Sequence, residues 1–298
     1  MNEKGDGYML SGSVVPLVTP LTQDEELDKS ALGRLVAFHH ASGTDGLFLL
    51  GTCGEGPCLR DRVKLELVEA VLAQSQGTPI LIGVSETASR RAAEWARRVN
   101  SPGVELVLMP PTFLFAASKA EHTAHVRCVV DAVGSPVILY NLPGKTGGHS
   151  VPLDALELMV QEGLVKGIKD SAGNLEYLRG LLSLRARYPF FRVMNGELTC
   201  AGEAVLQGVD GLVMSYTNVD PAGCIAMIRA GKAGDNREVQ RLQEKFIAVR
   251  RCFPRHAAPA GWVKAILARL DLCRPICCSP VGTVEPTLPD ALIGDRNG

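Results

Sequence analysis

The stretch LVKGIKDSAG (residues 164–173) is a short apolar run carrying two lysines and closed by a small polar turn. Its composition suits a buried strand, and Asp, Ser and Gly supply the stop. Seven other runs share this form: SVVPLVTP from Ser13, GLFLLGT from Gly46, PILIGVS from Pro79, VELVLMPP from Val104, PVILYNLP from Pro136, FRVMNG from Phe191 and DGLVMS from Asp210. Their starts are spaced by roughly 20 to 35 residues, which leaves room for a strand, a loop and a helix in each unit. The runs are almost continuously apolar rather than alternating. Strands covered on both faces have that character, as in parallel sheets.

The segments between the runs have helical spacing. In residues 59–75, Val63, Leu67, Val68, Val71 and Leu72 fall on one stripe. Residues 89–101 and 154–164 behave alike. Eight strands with helical crossovers predict a closed (β/α)8 TIM barrel, a fold of about 250 residues. An open doubly wound sheet is the alternative, but the units are regular and no switch point is evident. After Pro221 the runs stop. The remaining segments, PAGCIAMIRAG, DNREVQRLQEKFIAVRRCF and GWVKAILARLDL, are all helical in pattern. The expected division is therefore a barrel core over 1–222 and a C-terminal helical region over 223–298, comprising the last barrel helix and a small appendage.

The bulk properties narrow the function. The chain has 298 residues, 31 basic and 32 acidic, so no net field favours nucleic acid or an anionic membrane. Basic clusters are too sparse for a nucleic-acid surface; the run LRARYPFFR, for example, holds only three arginines. Hydrophobic residues make up 46% of the chain, enough for a large core. No apolar run approaches the roughly 20 residues that span a bilayer, and the polar start MNEKGDGYMLSG lacks the core of a secretion signal. Nine scattered cysteines then suggest free thiols in a reducing, cytoplasmic compartment.

In a barrel of this type the chemistry sits at the C-terminal ends of the strands. Lys169 ends the sixth run, and strand alternation places Val165, Gly167 and Lys169 on one face and Lys166, Ile168 and Asp170 on the other. An amine inside a barrel loses hydration, which favours its free, nucleophilic form. A free amine attacks a ketone to give an iminium, an electron sink for making or breaking a neighbouring C–C bond. An ion pair with Asp170 is the plainer alternative. Tyr140 ends the fifth run, and consecutive parallel strands are neighbours, so its phenol can shuttle protons beside such an imine. A tyrosine merely packed in the core is the alternative there. GTCGEG (residues 51–56) is a glycine-rich turn without the spacing or lysine of a phosphate loop. Its amides can hold a carboxylate, starting at Gly51, and the Thr52 hydroxyl can add a hydrogen bond or relay a proton. Ser215 ends the eighth run, and Asn195 and Glu197 follow the seventh.

In this order, GTCGE (51–55), YNLPGKTG (140–147) and GIKDSAG (167–173) resemble the motifs of the dihydrodipicolinate synthase/N-acetylneuraminate lyase family. GSVVPLVTP (12–20) and NVDP (218–221) fit as well, and the resemblance covers about residues 10–285. It implies a (β/α)8 barrel and a class I Schiff-base mechanism with pyruvate or a 2-oxo-3-deoxy acid as the small-molecule substrate. Lys169 matches the imine-forming lysine, Tyr140 the proton-relaying tyrosine, and Thr52 the first hydroxyl of the carboxylate-binding turn. No metal or organic cofactor is called for, because the iminium is the electron sink. A homotetramer or homodimer is implied.

Three positions depart from that pattern. Cys53 stands where the family turn has Thr or Ser, and a thiol hydrogen-bonds weakly. Thr112, in PPTFLF, takes roughly the place of a tyrosine that the synthases lend to a neighbouring subunit. Lys145 replaces an arginine that grips a second carboxylate, keeping the charge but losing the bidentate fork. Glu197 can accept hydrogen bonds from substrate hydroxyls. These features tilt the expectation from synthase toward an aldolase or dehydratase of 2-oxo acids. Dihydrodipicolinate synthase and a non-catalytic 2-oxo-acid-binding relative are the alternatives.

Other candidates carry less. His122 and His125, with Cys128 a turn on, have spacing that can ligate metal, but a solvated outer helix face is expected. His39 and His40 face no predicted site. Cys273, Cys277 and Cys278 are expected to pack as small apolar groups, and Trp95 and Trp262 to pack on helices.

Overall fold

A computed structural model describes residues 10–109, 118–282 and 284. The eight expected runs form eight parallel strands: β1 (Gly12–Pro16), β2 (Gly46–Leu49), β3 (Ile80–Gly83), β4 (Val104–Leu108), β5 (Val137–Asn141), β6 (Val165–Asp170), β7 (Arg192–Asn195) and β8 (Gly211–Leu212). Each pairs with its successor, and β8 returns to β1 through Gly12↔Gly211 and Ser13↔Leu212, so the barrel is closed. The helices between them are α1 (Lys29–Ala41), α2 (Asp61–Leu72), α3 (Ser89–Val99), α4 (Lys119–Val133), α5 (Leu153–Gln161), α6 (Leu175–Arg187) and α7 (Ala201–Leu206). After β8 come α8 (Pro221–Ala233), α9 (Asn236–Arg251) and α10 (Pro259–Arg269). None of the described helices is long and apolar enough to cross a membrane.

Local chemistry sets the helix ends. Asp28, Asn174, Asp220 and Asp235 each cap a helix by accepting from its first free amides. Ser118 and Glu121 form a reciprocal capping box on α4. Pro221 follows the Asp220 cap at a position where a missing N–H costs nothing.

The strands divide their side chains between two apolar layers. Val14, Phe48, Leu81, Val107, Ile138, Tyr140, Met194 and Val213 fill the barrel interior. The alternate residues, such as Val15, Leu47, Ile82, Leu139, Ile168 and Val193, pack against the helices.

Two expectations are corrected. Strict alternation fails at the start of β6, because the register shifts between Val137 and Ile138: Val137 pairs with Val165, Ile138 with Gly167. Lys166 is the extra residue of a bulge. Val165 therefore joins Val137 in the helix-facing layer. Lys166 forms an ion pair with Glu105, whose register partner Leu81 belongs to the interior. Gly167 and Lys169 keep the inward face.

The second correction concerns His122 and His125, which are buried rather than solvated. With Val126 and Val129 they make the inward stripe of α4, and His125 Nδ1 lies 2.9 Å from Ser89 Oγ at the start of α3. Burial pushes the His125 pKa down to about 4, so the ring is neutral near pH 7. His39 is fully buried on α1, its pKa pushed down to about 3 by the same cause. Trp95, Trp262 and the three C-terminal cysteines are buried as expected.

Candidate active site

The β5–β6 register sets Tyr140 directly beside Lys169 and Asn141 beside Asp170. Both members of the first pair point into the barrel. Lys169 is 6% exposed, and its Nζ stands 3.9 Å from the centroid of the Tyr140 ring and 4.9 Å from that of Phe48. The two rings meet edge to face at 6.2 Å. The amine thus sits in an aromatic corner. The competing ion pair does not form, because Asp170 Oδ1 accepts from Asn141 Nδ2 at 2.6 Å and from the Ala172 amide at 3.3 Å on the opposite face.

The glycine-rich turn lies over the same corner. Thr52 Oγ1 and Tyr140 Oη are 3.5 Å apart, a long hydrogen bond. Gly51 must be glycine, since a Cβ would stand 2.7 Å from the Phe48 ring. Cys53 is buried, and its Sγ receives Asn218 Nδ2 at 3.9 Å. Burial pushes the Cys53 thiol up to about 12, against a hydrogen bond from Ser215 that lowers it, so the group is a neutral S–H. Ser215 is therefore joined to the turn. Asn218 ties the assembly together: it receives the Val18 amide on Oδ1 at 3.1 Å and donates to Pro16 O and Ser215 O at 2.9 and 3.1 Å.

The remaining predicted residues are placed less centrally. Lys145 is exposed on a 3-10 turn after β5, and among the described residues no hydrogen bond or ion pair joins it to Lys169. Its loop is anchored by Val151 N donating to Asn141 Oδ1 at 3.0 Å. Glu197 follows β7, but its Oε1 caps a 3-10 turn by accepting from Thr199 N and Oγ1 at 3.0 and 2.8 Å. Thr112 lies outside the described residues.

Three contributors escaped the sequence reading. Phe48 forms one wall of the corner, and its inward parity in GLFLLGT was the available signal. Gly196 passes so close that a Cβ there would stand 2.3 Å from Ser171 Oγ and 2.8 Å from Lys169 Cε. Ser171 and Lys169 thus meet over its Cα, and the Ser171 hydroxyl is buried with no hydrogen-bond partner among the described residues.

Behind the site, Asp170 is a titratable group under strain. Burial pushes its pKa up to about 6, outweighing the hydrogen bonds from Asn141 and Ala172. The folded value exceeds the unfolded one, so folding favours the protonated acid. That stability is complete below about pH 4 and is lost as pH rises through about 6. Asp170→Asn keeps the Oδ1 acceptor and removes the charge. It is expected to stabilise the fold by roughly 3 kcal/mol more at pH 8 than at pH 4. Thermal unfolding of both proteins at the two pH values checks this; a difference in midpoint that does not change with pH contradicts it.

Comparison with known proteins gives a consistent result. A family model described as the dihydrodipicolinate synthetase family matches residues 9–292. A 4-hydroxy-tetrahydrodipicolinate synthase of Leptothrix cholodnii is 30% identical over 263 residues, covering 88% of this chain and 88% of that protein. One from Methylococcus capsulatus is 32% identical over 243 residues, covering 81% and 82%. Among solved structures, the dihydrodipicolinate synthase of Bacteroides thetaiotaomicron superposes with a TM-score of 0.86 at 28% identity, covering 93% of this chain and 94% of that one.

Proposed function

The chain belongs to the dihydrodipicolinate synthetase family, and from that premise we propose that its Lys169 forms a Schiff base with pyruvate or a 2-oxo-3-deoxy acid. The observation that carries the reading is the register pair Tyr140↔Lys169, with the amine 3.9 Å from the phenol ring inside the barrel. The Lys169 amine adds to the C2 carbonyl, and the carbinolamine loses water to give the iminium. The substrate carboxylate rests on the amides of the turn from Gly51, helped by Cys53 and the Ser215 that holds it. In the cleavage direction the Tyr140 oxygen takes the proton of the C4 hydroxyl, with Thr52 as its relay. The C3–C4 bond breaks, its electron pair enters the iminium to give the enamine, and an aldehyde leaves. Protonation at C3 and hydrolysis then free pyruvate and the lysine. Alternatively the iminium loses a C3 proton to give the enamine with the C3–C4 bond intact, and the enamine expels the C4 hydroxyl, protonated as it leaves as water, which gives a dehydratase. The steps draw on the amine, the phenol and two hydroxyls. A homotetramer or homodimer is the assembly we assign it.

A second reading is 4-hydroxy-tetrahydrodipicolinate synthase, in which the pyruvate enamine adds to aspartate semialdehyde. It is favoured by relatives of that name at 30% and 32% identity over most of the chain. Against it stand Thr112 and Lys145, at positions where the resemblance calls for tyrosine and arginine. Glu197 and Lys145 near the mouth offer polar contacts to a hydroxylated or acidic tail. One pair of assays separates the readings: release of pyruvate or of a 2-oxoglutarate semialdehyde from a panel of 2-oxo sugar acids and hydroxyproline-derived 2-oxo acids, and condensation of pyruvate with aspartate semialdehyde. The first is expected to exceed the second by at least about tenfold in kcat/KM, a difference of about 1.4 kcal/mol at the transition state. The reverse ranking makes the chain a synthase. Trapping without turnover of any substrate makes it a binding relative.

A further inference from the structure

The turn that carries Thr52 and Cys53 is held from the far end of the chain. Glu55, two residues past Cys53, is buried, and its carboxylate is fully used: Oε1 takes a hydrogen bond from Lys264 Nζ at 2.5 Å, and Oε2 takes one from the Cys278 amide at 2.7 Å. Lys264, on α10, is 0% exposed and also donates to Ile276 O at 2.6 Å. A charge pair so deep in apolar surroundings is a poor source of stability compared with well-packed apolar residues. Its value lies in fixing geometry.

The backbone supplies the reason that fixing is needed. Leu50 and Glu55 bracket the turn, and both adopt left-handed φ angles of 58° and 57° although neither is glycine. Such conformations persist only where the surroundings hold them, and they gather where geometry matters to function. Glu55 N donates to Thr52 O at 3.3 Å, so any movement of Glu55 reaches Thr52 directly. A second strap lies alongside. Glu25, also left-handed at 56°, accepts from the Ser279 amide at 2.9 Å, and Cys278 Sγ donates to Cys58 O at 3.2 Å. Residues 276–279 are thus laid across the outer side of the turn, gripped by two glutamates and braced by α10.

We propose that the Glu55–Lys264 pair is a positioning device for the carboxylate-binding turn, through which α10 and residues 276–279 set the affinity for the 2-oxo acid. The proposal rests on the Schiff-base reading above. Neither residue touches substrate; both act through the aim of the amides and the hydroxyl at 51–54. Misplacing such groups by about an ångström is enough to lose much of their effect.

The test uses pyruvate as the probe, with borohydride to trap the adduct. In the double variant Glu55→Gln/Lys264→Met no buried charge is left unpaired, so the fold is expected to survive. Its half-saturating pyruvate concentration is expected to rise by at least about tenfold, while Lys169 still traps to completion at saturation. A folded double variant with wild-type half-saturation overturns the proposal and leaves the pair a purely structural bond, visible only in thermal unfolding. Hydrogen exchange on the unaltered protein gives an independent answer if the variant fails to fold. Saturating pyruvate is expected to slow exchange in residues 276–279 as well as in 51–56; protection confined to 51–56 overturns the proposal. If the unaltered protein traps no pyruvate, the Schiff-base reading itself falls and this proposal with it.

Discussion

Lys169→Ala is expected to lower kcat by roughly 10⁴-fold or more on whichever 2-oxo acid proves to be the substrate. The reason is chemical rather than additive. Without the amine there is no iminium, and the hydroxyls and amides left behind can bind a 2-oxo acid but cannot accept the electron pair of a breaking C–C bond. Neither of the two neighbouring lysines is placed to replace it. Lys166 is bonded to Glu105 at the opposite end of β6 from Lys169. Lys145 is on an exposed turn. The fold should tolerate the change, because among the described residues the amine lies against two aromatic faces and in no ion pair. Circular dichroism and thermal unfolding of the variant, run beside the kinetics, distinguish loss of chemistry from loss of structure. Turnover within tenfold of the parent would remove Lys169 from the mechanism.

Tyr140→Phe carries the second largest effect. The ring stays, so the edge-to-face contact with Phe48 and the aromatic wall beside the amine are kept. Only the hydroxyl is lost, together with the partner 3.5 Å from Thr52 Oγ1. A proton-transfer group of this kind contributes about 10²- to 10⁴-fold. The expected result is a fall of that size in kcat with KM within about threefold, since in the proposed mechanism the phenol serves the transition state rather than the bound ground state. Steady-state kinetics decide it. A rise in KM with kcat unchanged would make Tyr140 a binding group and move the proton relay elsewhere.

Much of this was legible in the sequence, for identifiable reasons. The eight apolar runs are short and bounded by turn residues, so the strand count and parallel pairing follow from pattern alone. The pairing of Tyr140 with Lys169 follows from one further rule, that consecutive strands of a barrel are neighbours. What the pattern could not carry was irregularity and distance. The bulge at Lys166 inverts the parity of Val165, and the one hint in the letters LVKG is the strand glycine that follows it. His122 and His125 occupy a helical stripe completed by Val126 and Val129; a polar residue type masked a core-facing position. Glu55 and Lys264 are 209 residues apart, and no local periodicity links them. Glu197 was identified as a substrate acceptor, yet one of its oxygens caps the turn that follows it.

Reduction of the pyruvate adduct decides whether Lys169 is the nucleophile. The protein is incubated with saturating pyruvate, reduced with borohydride, digested, and its lysine-containing peptides are weighed and sequenced. The expected result is a single reduced pyruvate adduct, on Lys169, absent when either pyruvate or borohydride is left out. An unmodified Lys169 under saturating pyruvate, or the adduct on another lysine such as Lys166 or Lys145, would contradict it.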